Sequence, residues 1–233
     1  MPIRVVAFDG DDTLWHNETH FNFTQAALRD LLRGHAPNAD VDARLFETEM
    51  ANLSLYGYGI KSFTLSMIET ALEITDGTIP ASDLKVILDW GKRMLREPTE
   101  LLEGVRETLL GMSQNHQLLL ITKGDLFDQE SKLARSGLGE LFLGVEILSE
   151  KNAETYRGVF TRRGIKPEDF VMVGNSLRSD VVPVVGLGAR AVHIPYEVTW
   201  HHEHVPEDEL PASGWSRVAT IADLSGVLGS LDR

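Results

Sequence analysis

Two carboxylates two residues apart, Asp9 and Asp11, stand in the run FDGDDTL, at the close of the apolar stretch Ile3 to Phe8. An ionised Asp9 can attack phosphorus and form an aspartyl-phosphate, while Asp11 can protonate the leaving oxygen and later take a proton from water. A plain acidic turn closing a strand has the same appearance, so the pair is weighed with three later runs. In LLLITKGD, Thr122 offers a hydroxyl and neighbouring backbone amides that can hold phosphoryl oxygens, although a threonine there also serves as a helix cap. In SEKNAETY, Lys151 is a cation able to offset the charge of a phosphoryl group and of nearby carboxylates. In VGNSLRSD, Asn175 and Asp180 carry oxygens suited to a hard cation such as Mg2+. Lys132 competes with Lys151 for the cationic role, but it falls inside a helical stretch, and Lys151 is preferred.

These residues need strands to deliver them. Short apolar runs closed by polar or glycine turns recur at Ile3 to Phe8, Leu118 to Thr122, Val145 to Leu148, Phe170 to Val173 and Ala191 to Ile194, the pattern of buried parallel strands. Helix-length segments lie between the later ones, at Leu126 to Ser136, Ala153 to Arg163 and Val181 to Leu187. The alternation predicts an α/β fold, a doubly wound Rossmann-like parallel sheet of at least five strands, with ligands at its carboxyl edge. Between the first two strands the pattern changes. Asn17 to Glu97 holds helical patterns only, at Phe23 to Leu32, Ala43 to Met50, Phe63 to Ile74 and Leu84 to Leu95, punctuated by Gly57, Gly59, Asp76, Gly77 and Pro80. That is too long for a crossover. It predicts a smaller helical domain over 17–97, inserted into a core made of 1–16 and 98–233. A helix from Leu101 to Gly111 leads back into strand two, Glu197 to Pro211 forms an exposed loop, and a strand and helix near Val218 to Leu228 close the chain.

Acid pair, threonine, lysine and acidic loop thus each follow one of four successive predicted strands. In that order the chain resembles the haloacid dehalogenase superfamily, whose four motifs match as FDGDDTL, LLLITKG, SEK and VGNSLRSD, from about Ile3 to Pro195. The resemblance implies a Mg2+-dependent phosphatase of a small phosphorylated metabolite. Asp9 is then the nucleophile and Asp11 the general acid/base. Thr122, Lys123 and Lys151 bind the phosphoryl group, and Asp9, the Asp11 carbonyl, Asn175 and Asp180 form the magnesium site. The helical insertion corresponds to the family's cap. One residue departs from the pattern: many family phosphatases have Asp where this chain has Asn175. Either magnesium is held more weakly, or Asp180 supplies the compensating carboxylate. Asparagine here is also found in the family's metal-independent dehalogenases, which makes hydrolytic dehalogenation of a small haloacid the alternative. Asp11 stands against it, because the resemblance implies that dehalogenases lack an acid at that position. A phosphoryl-binding regulatory protein with little turnover is the third reading.

Composition excludes other classes. With 35 acidic against 22 basic residues the formal charge is −13, which opposes binding to nucleic acid or to an anionic membrane. The chain has no cysteine, so thiolate chemistry and disulfides are ruled out. No stretch approaches the ~20 apolar residues of a membrane span, and a cytoplasmic protein is expected. His193, His201, His202 and His204 match no zinc spacing and are read as part of a solvated loop. Tyr56, Tyr58, His16, Asn17, Glu18 and Arg178 are placed near the site or in the insertion without a specific role.

Overall fold

The computed structural model describes residues 3–198 and 200–231. The outermost residues assigned above to the core, 1–2 and 232–233, lie outside it, as do Thr199 and the side chain of His201. The chain divides into two compact units: residues 1–18, 99–123 and 129–233 form one, and residues 19–98 and 124–128 the other.

The first unit is built on six parallel strands: β1 (Val5–Phe8), β2 (Gln117–Lys123), β3 (Gly144–Leu148), β4 (Phe170–Gly174), β5 (Arg190–His193) and β6 (Trp215–Arg217). Their order is β3-β2-β1-β4-β5-β6. All neighbours run parallel, with Phe8 level with Leu120 on one side and Val173 on the other. Because side chains alternate across a strand, each central strand feeds two cores. Val6, Phe8, Leu118, Leu120, Val171 and Val173 face one way, where α5 (Val105–Met112) and α9 (Leu224–Leu231) pack. Val5, Ala7, Leu119, Ile121, Phe170 and Met172 face the other, against α7 (Ala153–Arg163) and α8 (Val182–Val185). Burial on both faces explains why these strands read as unbroken apolar runs. α6 (Leu126–Ser136) follows β2.

Local signals set several ends. Asn152 accepts from the backbone of Glu154 and Thr155 while Thr155 bonds back to Asn152, a reciprocal cap that starts α7, and Gly164 at φ 64° ends it. Two expectations are corrected. The helix predicted from Val181 begins earlier, as a π-helical turn over Leu177–Val181 started by the Ser176 hydroxyl, and the α-helical part is one turn long. Pro183 lacks an N–H and suits only a first turn. The closing strand lies at Trp215–Arg217 instead of beginning at Val218, and it pairs with β5, giving the sheet its sixth strand.

The second unit contains most of α1 (Glu18–Arg33), all of α2 (Val41–Tyr56), α3 (Ile60–Ile74) and α4 (Ala81–Met94) and the start of α6. Leu28, Leu32, Leu45, Phe63, Met67 and Ile87 form its own core. At the α3–α4 contact, a Cβ on Gly91 would lie 2.1 Å from the Thr64 hydroxyl oxygen, so the helices approach as closely as they do only because that side chain is missing. Residues 124–128 group with these helices, which the sequence reading did not anticipate. Lys61 pairs with Asp125 at 2.9 Å and lies over the Phe127 ring, and Asp125 also caps α6 through the Asp128 N–H.

Glu49 on α2 is a half-buried acid whose carboxyl burial pushes up to about 7. An acid whose folded value is raised is best tolerated below its unfolded value near 4.5, and stability falls as pH rises from there through the folded value. Glu49→Gln is therefore expected to raise the melting temperature at pH 8 and leave it unchanged at pH 4. Equal shifts at both pH values would refute this.

Candidate active site

Asp9 directly follows β1 and is still tied to the sheet, its N–H donating to Val173 O at 2.9 Å. Flanked by β2 and β4, its side chain leaves the carboxyl edge at the middle of the sheet, where open α/β folds bind ligands. Lys151, from the loop after β3, donates to Asp9 Oδ1 at 2.6 Å and to Asp180 Oδ1 at 2.8 Å. The lysine side chain is 1% exposed and that of Asp180 0%. Burial pushes Asp9 up, opposed by Lys151 and reinforced by Asp180. For Lys151, burial acts to lower the value, but Asp180 and Asp9 outweigh it, so the ammonium is retained. One cation thus serves two carboxylates, leaving a site short of positive charge.

Asp180 reaches this position because β4 ends in glycine. A Cβ on Gly174 would lie 2.1 Å from Asp180 Oδ2 and 2.3 Å from its Cγ. That Oδ2 also accepts the Ser176 N–H at 3.0 Å, so both oxygens of Asp180 are engaged. Tyr156 on α7 supports the same turn, its hydroxyl donating to Ser179 O at 3.1 Å.

Asp11 turns its carboxylate toward α6. Trp15 Nε1 donates to Oδ1 at 2.7 Å, Gln129 Nε2 to Oδ2 at 2.8 Å, and Lys132 Nζ lies 2.9 and 3.1 Å from the two oxygens. Lys132 is also bonded to Asn17 Oδ1 at 2.7 Å. The two lysines weighed against each other from the sequence therefore both engage an acid of the first motif, Lys151 taking Asp9 and Lys132 taking Asp11. Gln129 and Trp15 were not foreseen. Gln129 sits one helical turn before Lys132 on α6, and that spacing is the signal that could have revealed it. Asp12, in the left-handed region at φ 59°, accepts the N–H groups of Asn17 and Glu18 and so caps the entry into α1.

Thr122, 1% exposed, lies one residue before the end of β2 beside the first loop, its hydroxyl 3.4 Å from where a Cβ on Gly10 would stand. Thr13 accepts the Asn175 N–H at 3.0 Å, and one terminal atom of the Asn175 carboxamide lies 3.1 Å from the Thr13 hydroxyl, 3.2 Å from Asp11 O and 3.3 Å from Asp9 Oδ2. With nitrogen at that point its two hydrogens face three acceptors. With oxygen there, it accepts from Thr13 and completes a group of three oxygens, from a carboxylate, a carbonyl and a carboxamide, that suits a hard cation. Among the described residues no three His, Asp or Glu side chains gather as a metal-ligand cluster.

Lys123 Nζ bonds Ser179 Oγ at 3.0 Å and pairs with Glu203, a partner that no motif announced. Among the described residues the histidines form no metal-ligand cluster. His193 Nδ1 accepts from Arg217 Nε at 3.1 Å, which leaves Nε2–H to donate to Asn175 O at 2.9 Å. His202 packs on Trp200, and Arg178 donates to His202 O at 3.2 Å. His16 and Tyr196 meet at 2.6 Å.

A family model for haloacid dehalogenase-like hydrolases matches residues 3–183. The chain is 27% identical to a glyceraldehyde 3-phosphate phosphatase of Methanothermobacter thermautotrophicus, over 96% of this chain and 97% of that one. It is 24% identical to a human N-acylneuraminate-9-phosphatase, over 99% and 95% of the two chains. A solved haloacid dehalogenase-like hydrolase from Xanthomonas campestris is 38% identical, covers 99% of this chain and 92% of its own, and superposes with a TM-score of 0.88.

Because Gly174 is the cradle of Asp180, Gly174→Ala is expected to push that carboxylate off Lys151. Removing a partner from a buried pair costs about 3 kcal/mol or more, read as a lower urea midpoint. A loss below about 0.5 kcal/mol, the range of an ordinary surface change, would sink this account.

Proposed function

The chain belongs to the haloacid dehalogenase-like hydrolases, and on that premise we propose that it is a magnesium-dependent phosphatase of a small phosphomonoester, working through an aspartyl-phosphate on Asp9. The observation that carries the reading is Asp9 at the tip of the central strand, with the buried Lys151 ammonium 2.6 Å from one of its oxygens. A carboxylate so held is aimed, and the cation beside it offsets the charge of an incoming phosphoryl group.

In the first step an Asp9 oxygen bonds to phosphorus as the ester P–O bond breaks, and Asp11 gives its proton to the departing oxygen. In the second, Asp11 takes a proton from water, the water oxygen bonds to phosphorus, and the bond to Asp9 breaks, returning the free carboxylate and orthophosphate. Trp15, Gln129 and Lys132 surround the Asp11 carboxyl, which leaves them to reach the substrate. Thr122, Lys123 and Lys151 bind the phosphoryl oxygens. Asp9, the Asp11 carbonyl and Asn175 would hold magnesium, with Asp180, the further ligand expected from the sequence, bonded to Lys151 and to the Ser176 N–H. Bound Mg2+ supplies the charge that lets an anionic nucleophile approach an anionic ester. The helical unit corresponds to the family's cap. Both curated relatives are named as phosphatases of small phosphorylated compounds, which supports the substrate class.

A screen of metabolite phosphates with and without Mg2+ tests the reading. Orthophosphate release that stops with chelator and is lost by at least about 1,000-fold in Asp9→Asn is expected. Metal-independent halide release from a 2-haloacid would instead establish the dehalogenase, and turnover equal to background on every ester would favour the regulatory protein.

Asn175→Asp tests the oxygen set separately. It brings a second carboxylate against Asp9 Oδ2, so melting in chelator is expected to fall and the rise on adding Mg2+ to exceed that of the parent. An Mg2+ response no larger than the parent's would remove Asn175 from the set.

A further inference from the structure

The steps above leave Glu203 without a part, although it is one of the most heavily bonded acids in the sheet unit. It comes from a short helical turn, His201–Glu203, well beyond β5. Its side chain is only 11% exposed. One oxygen pairs with Lys123 Nζ; the other accepts from the Ser176 hydroxyl and from Ser179 Oγ at 2.8 Å. Burial pushes this carboxyl up, but Lys123 and the three hydrogen bonds overcome that and hold it at about 2.

Where this group sits follows from the sheet. Phe8 is level with Leu120, so Asp9 is level with Ile121, and Lys123, two residues further along β2, points to the same face as Asp9. From the strand spacing and rise, the two Cα atoms are about 8 Å apart. Lys123 comes from β2 while Ser176 and Ser179 follow β4, with β1 lying between those strands. The Lys123–Glu203–serine group therefore bridges the neighbours of β1 on the face that holds Asp9, Lys151 and Asp180. Glu150 also faces Lys123, at 4.0 Å, but with its side chain 42% exposed its charge is largely screened by solvent. Of the two carboxylates shown within 4.0 Å of Lys123, the buried one is Glu203.

We infer that Glu203 is a positioning residue of the phosphoryl end: it anchors the Lys123 ammonium on the Asp9 face and limits that ammonium's pull on anions, so that orthophosphate is not retained. The inference rests on the phosphatase reading. With Glu203 in place, Lys123 and Lys151 face three buried carboxylates, those of Asp9, Asp180 and Glu203. Without its charge, the same two cations face two. A group that merely fastens the chain would, when removed, loosen the site and weaken anion binding. A group that restrains a cation would, when removed, strengthen it, and the two roles are separated by sign.

The test measures orthophosphate binding by calorimetry and its inhibition constant, at fixed Mg2+, in the full-length parent, Glu203→Gln, Lys123→Met and the double variant. Glu203→Gln is expected to bind orthophosphate about tenfold more tightly. Lys123→Met, which leaves the Glu203 charge unmatched, is expected to bind it about tenfold more weakly. In the double variant the gain from Glu203→Gln should vanish, the affinity lying between that of Lys123→Met and that of the parent. Unchanged or weaker binding in Glu203→Gln, or tighter-than-parent binding that persists without Lys123, overturns the inference. Should Glu203→Gln not fold, Lys123→Met decides, and unaltered affinity there overturns it as well. A parent that neither hydrolyses phosphomonoesters nor binds orthophosphate defeats the phosphatase reading and this inference with it. An active parent with an unresponsive Glu203→Gln defeats only the inference.

Discussion

The Lys151 ammonium, enclosed between Asp9 and Asp180, is the interaction on which the rest of the site is arranged. Removing three charges from water costs several kcal/mol for each ion, and such an arrangement persists only where every oxygen and proton has a partner. The neighbouring structure provides several of those partners. Gly174 leaves room for Asp180, the Ser176 N–H takes its second oxygen, and Tyr156 fastens the turn through Ser179 O. The π-helical turn Leu177–Val181 carries Asp180 back under the end of β4. Such turns are rare, occur often at functional sites, and here place a carboxylate against a strand end.

Parallel strands turn this local arrangement into a site. Each ends at the same edge of the sheet, so residues far apart in sequence, such as Asp9, Thr122 and Asn175, arrive together without any loop having to be long. Strand alternation then sorts them. Asp9 and Lys123 share one face with Lys151 and Asp180, while Thr122 lies on the other parity beside the Gly10 loop. Burial on both sides keeps solvent from screening these charges, which makes small shifts in their balance consequential.

The helical unit is organised differently. Its helices share an apolar core of their own, yet Thr48, Asn52 and Ser66 are also buried, and Asn52 bonds both Ser66 and Glu69. A polar seam of this kind restricts how α2 and α3 slide on each other, because a shifted register leaves buried groups unmatched. Among the described residues, no helix is long and apolar enough to cross a membrane.

By itself the sequence determined the α/β class, the positions of five strands to within two residues, the helical stretch between the first two, and the four runs that meet at one edge. Those features are local: apolar runs, glycine and proline punctuation, and acids at strand ends all act over a few residues. Only the tertiary structure decided that Lys132 belongs to Asp11 and Lys151 to Asp9, that Asp180 holds a lysine, that residues 124–128 group with the helices, and that the closing strand lies at Trp215–Arg217 beside β5. Glu203 is the clearest case. Its partners Lys123 and Ser176 lie 80 and 27 residues away, and nothing near it in the chain marks it out. A charge buried by distant segments leaves no periodic or motif signal, because the energy that places it arises only when those segments have folded together.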